Sequence, residues 1–330
     1  MREALYYEPH AQGVICRLCP RECVIGEGRT GFCRVRKNVG GKLYAQNYAF
    51  ATGQALDPVE KKPLYHFYPG NNILSLGTWG CNFACKFCQN WHIAHGEPDT
   101  AYIPSAKAVE AARELVAQNN IGIAYTYSEP SVWFEYILDT AKLVREAGLK
   151  NVLVTNGFIN PEPLTELLPY IDGMNIDVKA FNNDYYRNVC AGILDRVKST
   201  VELAAKACHV EITTLAVTGL NDSEAELTAL SQWLGEISRD IPLHFSRYFP
   251  NYKMQEPATS LATLEMAYNA AGRYLNYVYV GNVGGDGVNT YCPACGFKVI
   301  DRLQYKSYLT SEKKCPQCGY NIYVVGNIRM

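Results

Sequence analysis

The chain has 330 residues, of which 48% are hydrophobic and 19% are charged, and its formal net charge is −1. These proportions are ordinary for a folded globular protein and exclude a wholly disordered chain. The near-zero net charge gives no electrostatic reason to expect a nucleic-acid partner or an anionic membrane. A chain of this length suits one large domain, or a core domain with small appended modules.

Thirteen cysteines are the strongest compositional signal. No run of about 18 apolar residues predicts a membrane span, and the N-terminus lacks the apolar core of a secretion signal. We therefore expect a cytoplasmic protein, in which thiols stay reduced and clustered cysteines indicate metal binding rather than disulfides. Eleven of the thirteen cysteines fall into three groups along the chain.

The first group is predicted to be a metal-bound module. Its spacing is C-x2-C-x3-C-x9-C, with three glycines in the intervening loop, and its members are Cys16, Cys19, Cys23 and Cys33. Four thiolates can hold zinc, our first expectation, or a second iron–sulfur cluster, and spacing alone does not separate the two. We assign residues 1–72 to this module and to an extended, proline-containing approach segment whose charged residues 60–62 should form a solvated loop.

Residues 73–285 alternate short apolar runs with amphipathic segments, which predicts an α/β fold with parallel strands. The predicted strands are 73–78, 121–126, 151–155, 173–178, 209–215, 242–247 and 277–281. The predicted helices are 106–119, capped by Ser105, 132–146, 161–169, 184–206, 222–238 and 260–275. Six to seven β/α units over this length suit a partial, open barrel of the (β/α)6 type better than a closed eight-fold barrel.

The second cysteine group follows the first of these strands in a C-x3-C-x2-C pattern, formed by Cys81, Cys85 and Cys88. Three thiolates are one short of a closed zinc site. They suit a [4Fe–4S] cluster that keeps one iron free for a non-protein ligand. The alternatives are three structural cysteines, or a zinc site that takes a distant fourth ligand.

Polar residues follow several of the other predicted strands. Because the carboxyl ends of parallel strands share one rim, the segments 125–130, 155–157, 175–179 and 244–247 should meet beside the cysteines. Each segment alone is weak evidence, since a strand-end ion pair or histidine is often only structural. Their joint placement predicts an active site at this rim.

The third cysteine group lies in the last 45 residues, 286–330, after a turn-forming segment at 286–289. Two C-P-x-C-G knuckles supply Cys292, Cys295, Cys315 and Cys318. This arrangement predicts a zinc ribbon or, less often, a rubredoxin-like iron site.

Together these motifs resemble those of the radical S-adenosylmethionine (SAM) enzymes of the AmmeMemoRadiSam system, which are similar to the activating enzymes of glycyl radical enzymes such as pyruvate formate-lyase. The resemblance covers nearly the whole chain. It is carried by the segments Cys16–Arg21, Asp57–Tyr65, Trp79–Asn90 and Tyr125–Pro130, and by the Asp-x-Lys pair at 177 and 179.

The resemblance implies a role for each matching residue. Cys81, Cys85 and Cys88 would bind the cluster, whose free iron chelates SAM, and Phe87 would lie against the adenine. The segment Ser128-Glu129 stands where the family has Gly-Gly-Glu-Pro, so Glu129 would bind the SAM amino group, although Tyr127 and Ser128 replace the glycines. The other implied contacts are Asn156 with the ribose, Asp177 and Lys179 beside SAM and substrate, and His244 and Arg247 at the far side of the pocket.

The implied activity is anaerobic, reductive cleavage of SAM to a 5′-deoxyadenosyl radical that abstracts hydrogen from a substrate not identifiable from the sequence. Implied partners are AMMECR-type and Memo-type proteins and a flavodoxin or ferredoxin as electron donor. Cys190, after the Asp-x-Lys strand, is a candidate thiol for hydrogen transfer. The alternatives are a glycyl radical enzyme activase and a non-enzymatic iron–sulfur or zinc scaffold.

Overall fold

A computed structural model describes residues 1–330. Its centre is an eight-stranded sheet in the order β16-β15-β14-β13-β12-β11-β9-β8. Seven of the strands are parallel, and β8 pairs with β9 in the antiparallel direction at one edge. Labelled in chain order, the strands up to β7 are β1 (Arg2–Glu3), β2 (Tyr7–His10), β3 (Gly13–Cys16), β4 (Val24–Ile25), β5 (Arg36–Val39), β6 (Lys42–Ala45) and β7 (Phe50–Ala51). The central strands are β8 (Gly53–Pro58), β9 (Asn72–Gly77), β11 (Asn120–Thr126), β12 (Lys150–Thr155), β13 (Gly173–Asp177), β14 (His209–Ala216), β15 (Leu243–Arg247) and β16 (Val278–Gly281), and the short β10 (Ala101–Tyr102) pairs with β7.

The seven parallel strands confirm the seven predicted from the apolar runs, with bounds that differ by at most one residue at either end. Their burial explains the agreement, because strands covered on both faces read as nearly continuous apolar runs. The sheet is open, since β8 and β16 lie at its two edges. The α/β class with a central parallel sheet is therefore confirmed.

Helices cover the sheet and agree less closely with the prediction. They are α1 (Trp91–His95), α2 (Ser105–Glu114), α3 (Phe134–Glu146), α4 (Pro161–Leu167), α5 (Asn183–Tyr185), α6 (Leu194–Ala204), α7 (Glu224–Ile237) and α8 (Leu261–Ala271). Short 3₁₀ turns lie at Val59–Lys61, Leu115–Gln118, Pro130–Trp133, Leu168–Tyr170 and Asp286–Val288, and one π-helical turn lies at Tyr186–Cys190. No helix is both long enough and apolar enough to cross a bilayer.

Two helix predictions are wrong. The single helix predicted over 184–206 is interrupted, because Ala191 adopts a left-handed conformation with φ 56° and Gly192 follows it. A Cβ atom on Gly192 would lie 2.5 Å from the ring of Phe83, so close packing against the cysteine loop fixes this break. Ser105 does not cap α2; its hydroxyl accepts a hydrogen bond from Thr140 at 2.8 Å.

Small sheets flank the central one at both ends of the chain. Near the N-terminus, β2-β3-β4 and β1-β6-β5 form two antiparallel sheets, and the predicted approach segment contributes β8 to the central sheet. Near the C-terminus, β17 (Thr290–Tyr291), β18 (Lys298–Asp301) and β19 (Lys306–Ser307) form a third. Val325 then pairs with the segment around Phe67, so the end of the chain returns to the start of the central sheet.

Candidate active site

A pocket of about 370 Å³ lies where the carboxyl ends of the central strands meet, as parallel strand topology predicts. Its volume lies within the range of small-molecule sites. Residues from the cysteine loop and from the segments after five strands line it, among them Cys81, Cys85, Cys88, Phe87, Ser128, Glu129, Asn156, Asp177 and Lys179. The structure thus brings together most of the predicted site residues.

The three pocket cysteines suit a cluster better than a single ion. They are the only cysteines in the lining, so no fourth thiol is available there. Their sulfurs do not all lie within 4.8 Å of one another, as the ligands of one small ion would. Burial raises the pKa of Cys81 well above its usual value, and the Cys190 thiol and burial do the same for Cys85. Thiolates at these positions therefore need a positive centre, which iron supplies on binding.

Glu129 is the most enclosed carboxylate in the pocket, being 2% exposed. Its Oε1 accepts hydrogen bonds from Ser131 N at 2.9 Å and Thr155 Oγ1 at 2.6 Å, and its Oε2 accepts one from Asn156 N at 2.8 Å. Burial raises the pKa of Glu129 in spite of these donors. A carboxylate has about four acceptor positions, so one remains for a ligand.

Asn156 links Glu129 to the cysteine loop. Its Nδ2 donates to Asn82 Oδ1 at 2.9 Å and lies 3.7 Å from Cys81 Sγ, and its Oδ1 accepts from Phe158 N at 2.9 Å. The amide is therefore oriented toward the loop that carries Cys81. Its predicted contact with a ribose stays a prediction.

Asp177 and Lys179 form an ion pair beside the cysteines, with 2.7 Å between Oδ2 and Nζ. Burial lowers the pKa of Lys179, but the Asp177 carboxylate raises it further, so that the net pKa is raised and the amine stays protonated. Lys179 Nζ also lies 5.9 Å from the centre of the Phe87 ring. A cation, an anion and an aromatic face therefore meet at one wall of the pocket.

The structure does not bring every predicted residue into the pocket. His244 stands at the second position of β15, about 7 Å below the pocket-lining Ser246, and its Nε2 lies 2.6 Å from buried Glu211 Oε2. Arg247 follows Ser246, so it points to the opposite face, where its Nε donates to Thr259 O at 2.8 Å. Cys190 is fully buried beside Cys85 and does not line the pocket.

Lys62 is a pocket residue that sequence reasoning missed. The prediction of a solvated loop holds for Lys61, whose side chain is 67% exposed, and is wrong for Lys62, which is 4% exposed. Lys62 Nζ binds Asp57 Oδ2 at 2.8 Å, and the same oxygen accepts from Tyr127 Oη at 3.0 Å. Burial raises the pKa of Asp57, but the hydrogen bonds, from Lys62 above all, lower it to about 2. The Asp-Pro-Val-Glu-Lys-Lys-Pro motif could have predicted this ion pair, because the 3₁₀ turn at Val59–Lys61 brings Lys62 back to Asp57.

The C-terminal cysteines have the geometry of a single-ion site. All four sulfurs lie within 4.8 Å of one another, with 3.5 Å between those of Cys292 and Cys318 and 3.7 Å between those of Cys295 and Cys315. A tetrahedral ion with bonds of about 2.3 Å requires sulfur separations of about 3.8 Å. The predicted grouping of these four cysteines is confirmed.

Comparisons with known proteins agree with this site. The family model described as the radical SAM superfamily matches residues 76–231, which include the cysteine loop and most of the pocket. The chain therefore carries a radical SAM domain. It is a radical SAM enzyme, and the family implies a [4Fe–4S] cluster and SAM as cofactors.

Relatives include one of nearly equal length. The uncharacterized protein MJ0808 of Methanocaldococcus jannaschii is 44% identical over 335 residues, which cover 98% of this chain and all of that protein. The pyruvate formate-lyase 1-activating enzyme of Escherichia coli K12 is 26% identical over 168 residues, 49% of this chain and 66% of that enzyme. The crystal structure of Streptococcus suis SuiB bound to SAM matches with a TM-score of 0.51 at 15% identity, covering 66% of this chain and 52% of SuiB, which indicates a shared fold.

Proposed function

We propose that this radical SAM enzyme cleaves SAM reductively and uses the product radical to abstract hydrogen from a substrate. The observation that carries the proposal is the pocket in which three cysteines, without a fourth, stand beside a buried carboxylate and a protonated lysine. When bound, the cluster and SAM supply the chemistry: one electron converts SAM into methionine and a 5′-deoxyadenosyl radical. The protein binds, orients and excludes water.

Each pocket residue has a stated task in this proposal. Glu129 accepts the SAM ammonium at its remaining acceptor position, since opposite charge and a buried site favour that contact. Phe87 supplies an apolar face for the adenine, and Ser128, whose Oγ donates to Thr78 O at 2.7 Å, shapes the wall beside it. Asn156 meets the ribose through its carbonyl oxygen, because its amide hydrogens are directed at the cysteine loop.

The pair Asp177–Lys179 marks the boundary between SAM and substrate. The pocket lining also includes Lys62, from the approach segment, and Tyr127, from the segment after β11, and Lys62 Nζ lies 4.8 Å from the centre of the Tyr127 ring. Each of these two lysines is paired with a carboxylate, Lys62 with Asp57 and Lys179 with Asp177, so this wall offers charged groups of both signs and favours a polar substrate.

The proposal includes partners and metals. AMMECR-type and Memo-type proteins would present or process the substrate, as in the AmmeMemoRadiSam system, and a cytoplasmic flavodoxin or ferredoxin would supply electrons. Zinc would occupy Cys292, Cys295, Cys315 and Cys318, and a metal, either zinc or a cluster, would occupy the N-terminal cysteines. The proposed organisation is a module at 1–72, a partial (β/α)6-type barrel at 73–285 and a ribbon at 286–330.

A second candidate function is activation of a glycyl radical enzyme. Similarity to the Escherichia coli activating enzyme, and to the 4-hydroxyphenylacetate decarboxylase activating enzyme of Clostridium scatologenes at 22% identity over 120 residues, favours it. In that case the substrate is a backbone glycine of another protein. The Asp177–Lys179 pair would then contact the substrate peptide.

The first test is SAM cleavage. Reconstituted protein is incubated anaerobically with SAM and dithionite, and 5′-deoxyadenosine is quantified. We expect product from wild type and from the control Cys208→Ala, whose cysteine lies outside all three groups, and none from Cys85→Ala. Equal product from Cys85→Ala would refute the proposal. For the activase candidate, a glycyl electron-spin signal should form on the partner; its absence with every candidate partner, while 5′-deoxyadenosine accumulates, excludes that candidate.

A further inference from the structure

The four N-terminal cysteines line a small cavity of their own, next to the SAM pocket. Cys16, Cys19, Cys23 and Cys33 surround it together with apolar side chains from the same module. Leu18 and Ile25, each 2% exposed, form part of the wall. Four thiols around one cavity indicate a metal site, because clustered cysteines at such spacings are typical metal ligands.

The spacing of the sulfurs distinguishes a single ion from a cluster. A tetrahedral zinc ion holds its sulfurs about 3.8 Å apart, and the C-terminal cysteines meet that requirement. No three of the four N-terminal cysteines have sulfurs within 4.8 Å of one another. The same is true of Cys81, Cys85 and Cys88. A [4Fe–4S] cluster binds each thiolate to a different iron and therefore needs the wider spacing.

A buried, unpartnered donor in this cavity wall suits a negatively charged metal–thiolate group. Arg36 is 1% exposed and lines the cavity. Its Nη2 binds Glu135 Oε2 at 2.8 Å and its Nη1 donates to Leu5 O at 3.3 Å, but its Nε has no hydrogen-bond partner. A buried guanidinium N–H without an acceptor is costly, and cluster or cysteine sulfur supplies one.

The two cysteine sites are in direct contact through the backbone. A Cβ atom on Gly80 would lie 2.6 Å from Cys33 O, so glycine, with φ 89°, allows this close approach one residue before Cys81. Arg21 makes a second connection between the sites, because it lines the N-terminal cavity and its Nε donates to Asn82 O at 2.5 Å. Gly80 alone therefore separates Cys33 from Cys81 on one path, and Arg21 and Asn82 connect the two sites on the other.

From these observations we infer that Cys16, Cys19, Cys23 and Cys33 bind a second [4Fe–4S] cluster that passes electrons to the cluster at Cys81, Cys85 and Cys88. A low-potential one-electron donor protein is oxidised by one electron and the second cluster is reduced by one. The second cluster returns to its oxidised state when the electron moves on to the first, and no bond or proton changes. The metal assignment is independent of the proposed function, whereas the electron transfer rests on it.

Metal content tests the assignment directly. Anaerobically reconstituted wild type should contain about eight irons, about eight sulfides and about one zinc per chain. Four irons with two zincs would overturn the inference. The double variant Cys19→Ala/Cys33→Ala should lose about four irons and keep the zinc, whereas Cys295→Ala/Cys318→Ala should lose the zinc and keep eight irons. Should the N-terminal double variant fail to fold, the wild-type count still decides.

Electron paramagnetic resonance tests the contact between the clusters. Dithionite-reduced wild type should show two spins broadened by mutual coupling, of which SAM alters only one. The N-terminal double variant should show a single, unbroadened signal that still responds to SAM. Two independent, uncoupled signals in the wild type would overturn the electron transfer. None of these measurements requires SAM cleavage, so failure of the proposed function would be seen separately.

Discussion

Replacement of Glu129 by glutamine tests two roles of this side chain separately, its proposed contact with SAM and its hydrogen bonds within the fold. The carboxylate accepts three hydrogen bonds, from Ser131 N, Thr155 Oγ1 and Asn156 N, and the proposal gives its fourth position to the SAM ammonium. Glutamine keeps one oxygen and turns the other acceptor into an NH₂ donor. It can therefore satisfy two of the three donors and cannot attract the ammonium.

In Glu129→Gln the loss of SAM affinity and the loss of folding stability have different expected sizes and are measured separately. A hydrogen bond to a charged group is worth about 1.5–3 kcal/mol, so the SAM dissociation constant should rise about 10- to 150-fold. One orphaned buried donor should lower the free energy of unfolding by about 1–3 kcal/mol. Glu265→Gln, an exposed position on α8, is the matched control and should change neither quantity.

The assay is anaerobic equilibrium dialysis of labelled SAM against the loaded protein, with urea unfolding measured in parallel. An unchanged SAM dissociation constant, together with lost stability, would refute the ammonium contact and leave Glu129 a purely structural role. Lost SAM affinity in the Glu265→Gln control would show that the effect is not local.

Three further perturbations test other parts of the structure. Lys62→Met leaves Asp57 without its buried cation and should lower the free energy of unfolding by on the order of 3 kcal/mol, measured by urea unfolding. The control Lys61→Met removes an exposed partner of the same carboxylate and should lower it by less than about 1 kcal/mol. Equal effects of the two variants would contradict the buried Lys62–Asp57 pair. Burial lowers the pKa of His66 to about 3, so the unfolded chain binds a proton below pH 6.5 that the native state does not. This group alone should therefore remove about 2 kcal/mol of the free energy of unfolding between pH 7 and pH 5. If the free energy of unfolding of His66→Gln depends on pH as the wild type's does, this prediction is refuted. Cys318→Ala should remove zinc and increase amide hydrogen exchange within residues 290–324 while the iron content stays constant; retained zinc would contradict the four-cysteine site.

Strands and cysteine groups were predictable because their signals are local. The run Ile73–Leu76 and the run at 151–155 are apolar and bounded by turn residues, which suffices for buried parallel strands. The C-x3-C-x2-C spacing likewise placed three thiols on one strand-end loop. The convergence of Glu129 and Lys179 on that loop followed from parallel topology alone.

Features that depend on long-range packing could not be predicted. The break in the helix at Ala191 follows from the approach of Gly192 to Phe83, which is more than 100 residues away in sequence. His244 and Arg247 were expected in the pocket from their place near a strand end, but depth along β15 and the alternation of side chains decide where each points. The spacing of the N-terminal sulfurs, which separates a cluster from zinc, is also a property of the fold rather than of the C-x2-C-x3-C-x9-C pattern.

The most direct test of the central claim is electron–nuclear double resonance on reduced protein with SAM labelled with nitrogen-15 at its amino group. If Cys81, Cys85 and Cys88 hold a cluster with a free iron that chelates SAM, the spectrum should show a nitrogen-15 coupling to the cluster spin. The coupling should persist in Cys208→Ala and in the N-terminal double variant Cys19→Ala/Cys33→Ala. An iron-loaded wild type that binds SAM without this coupling would contradict the account.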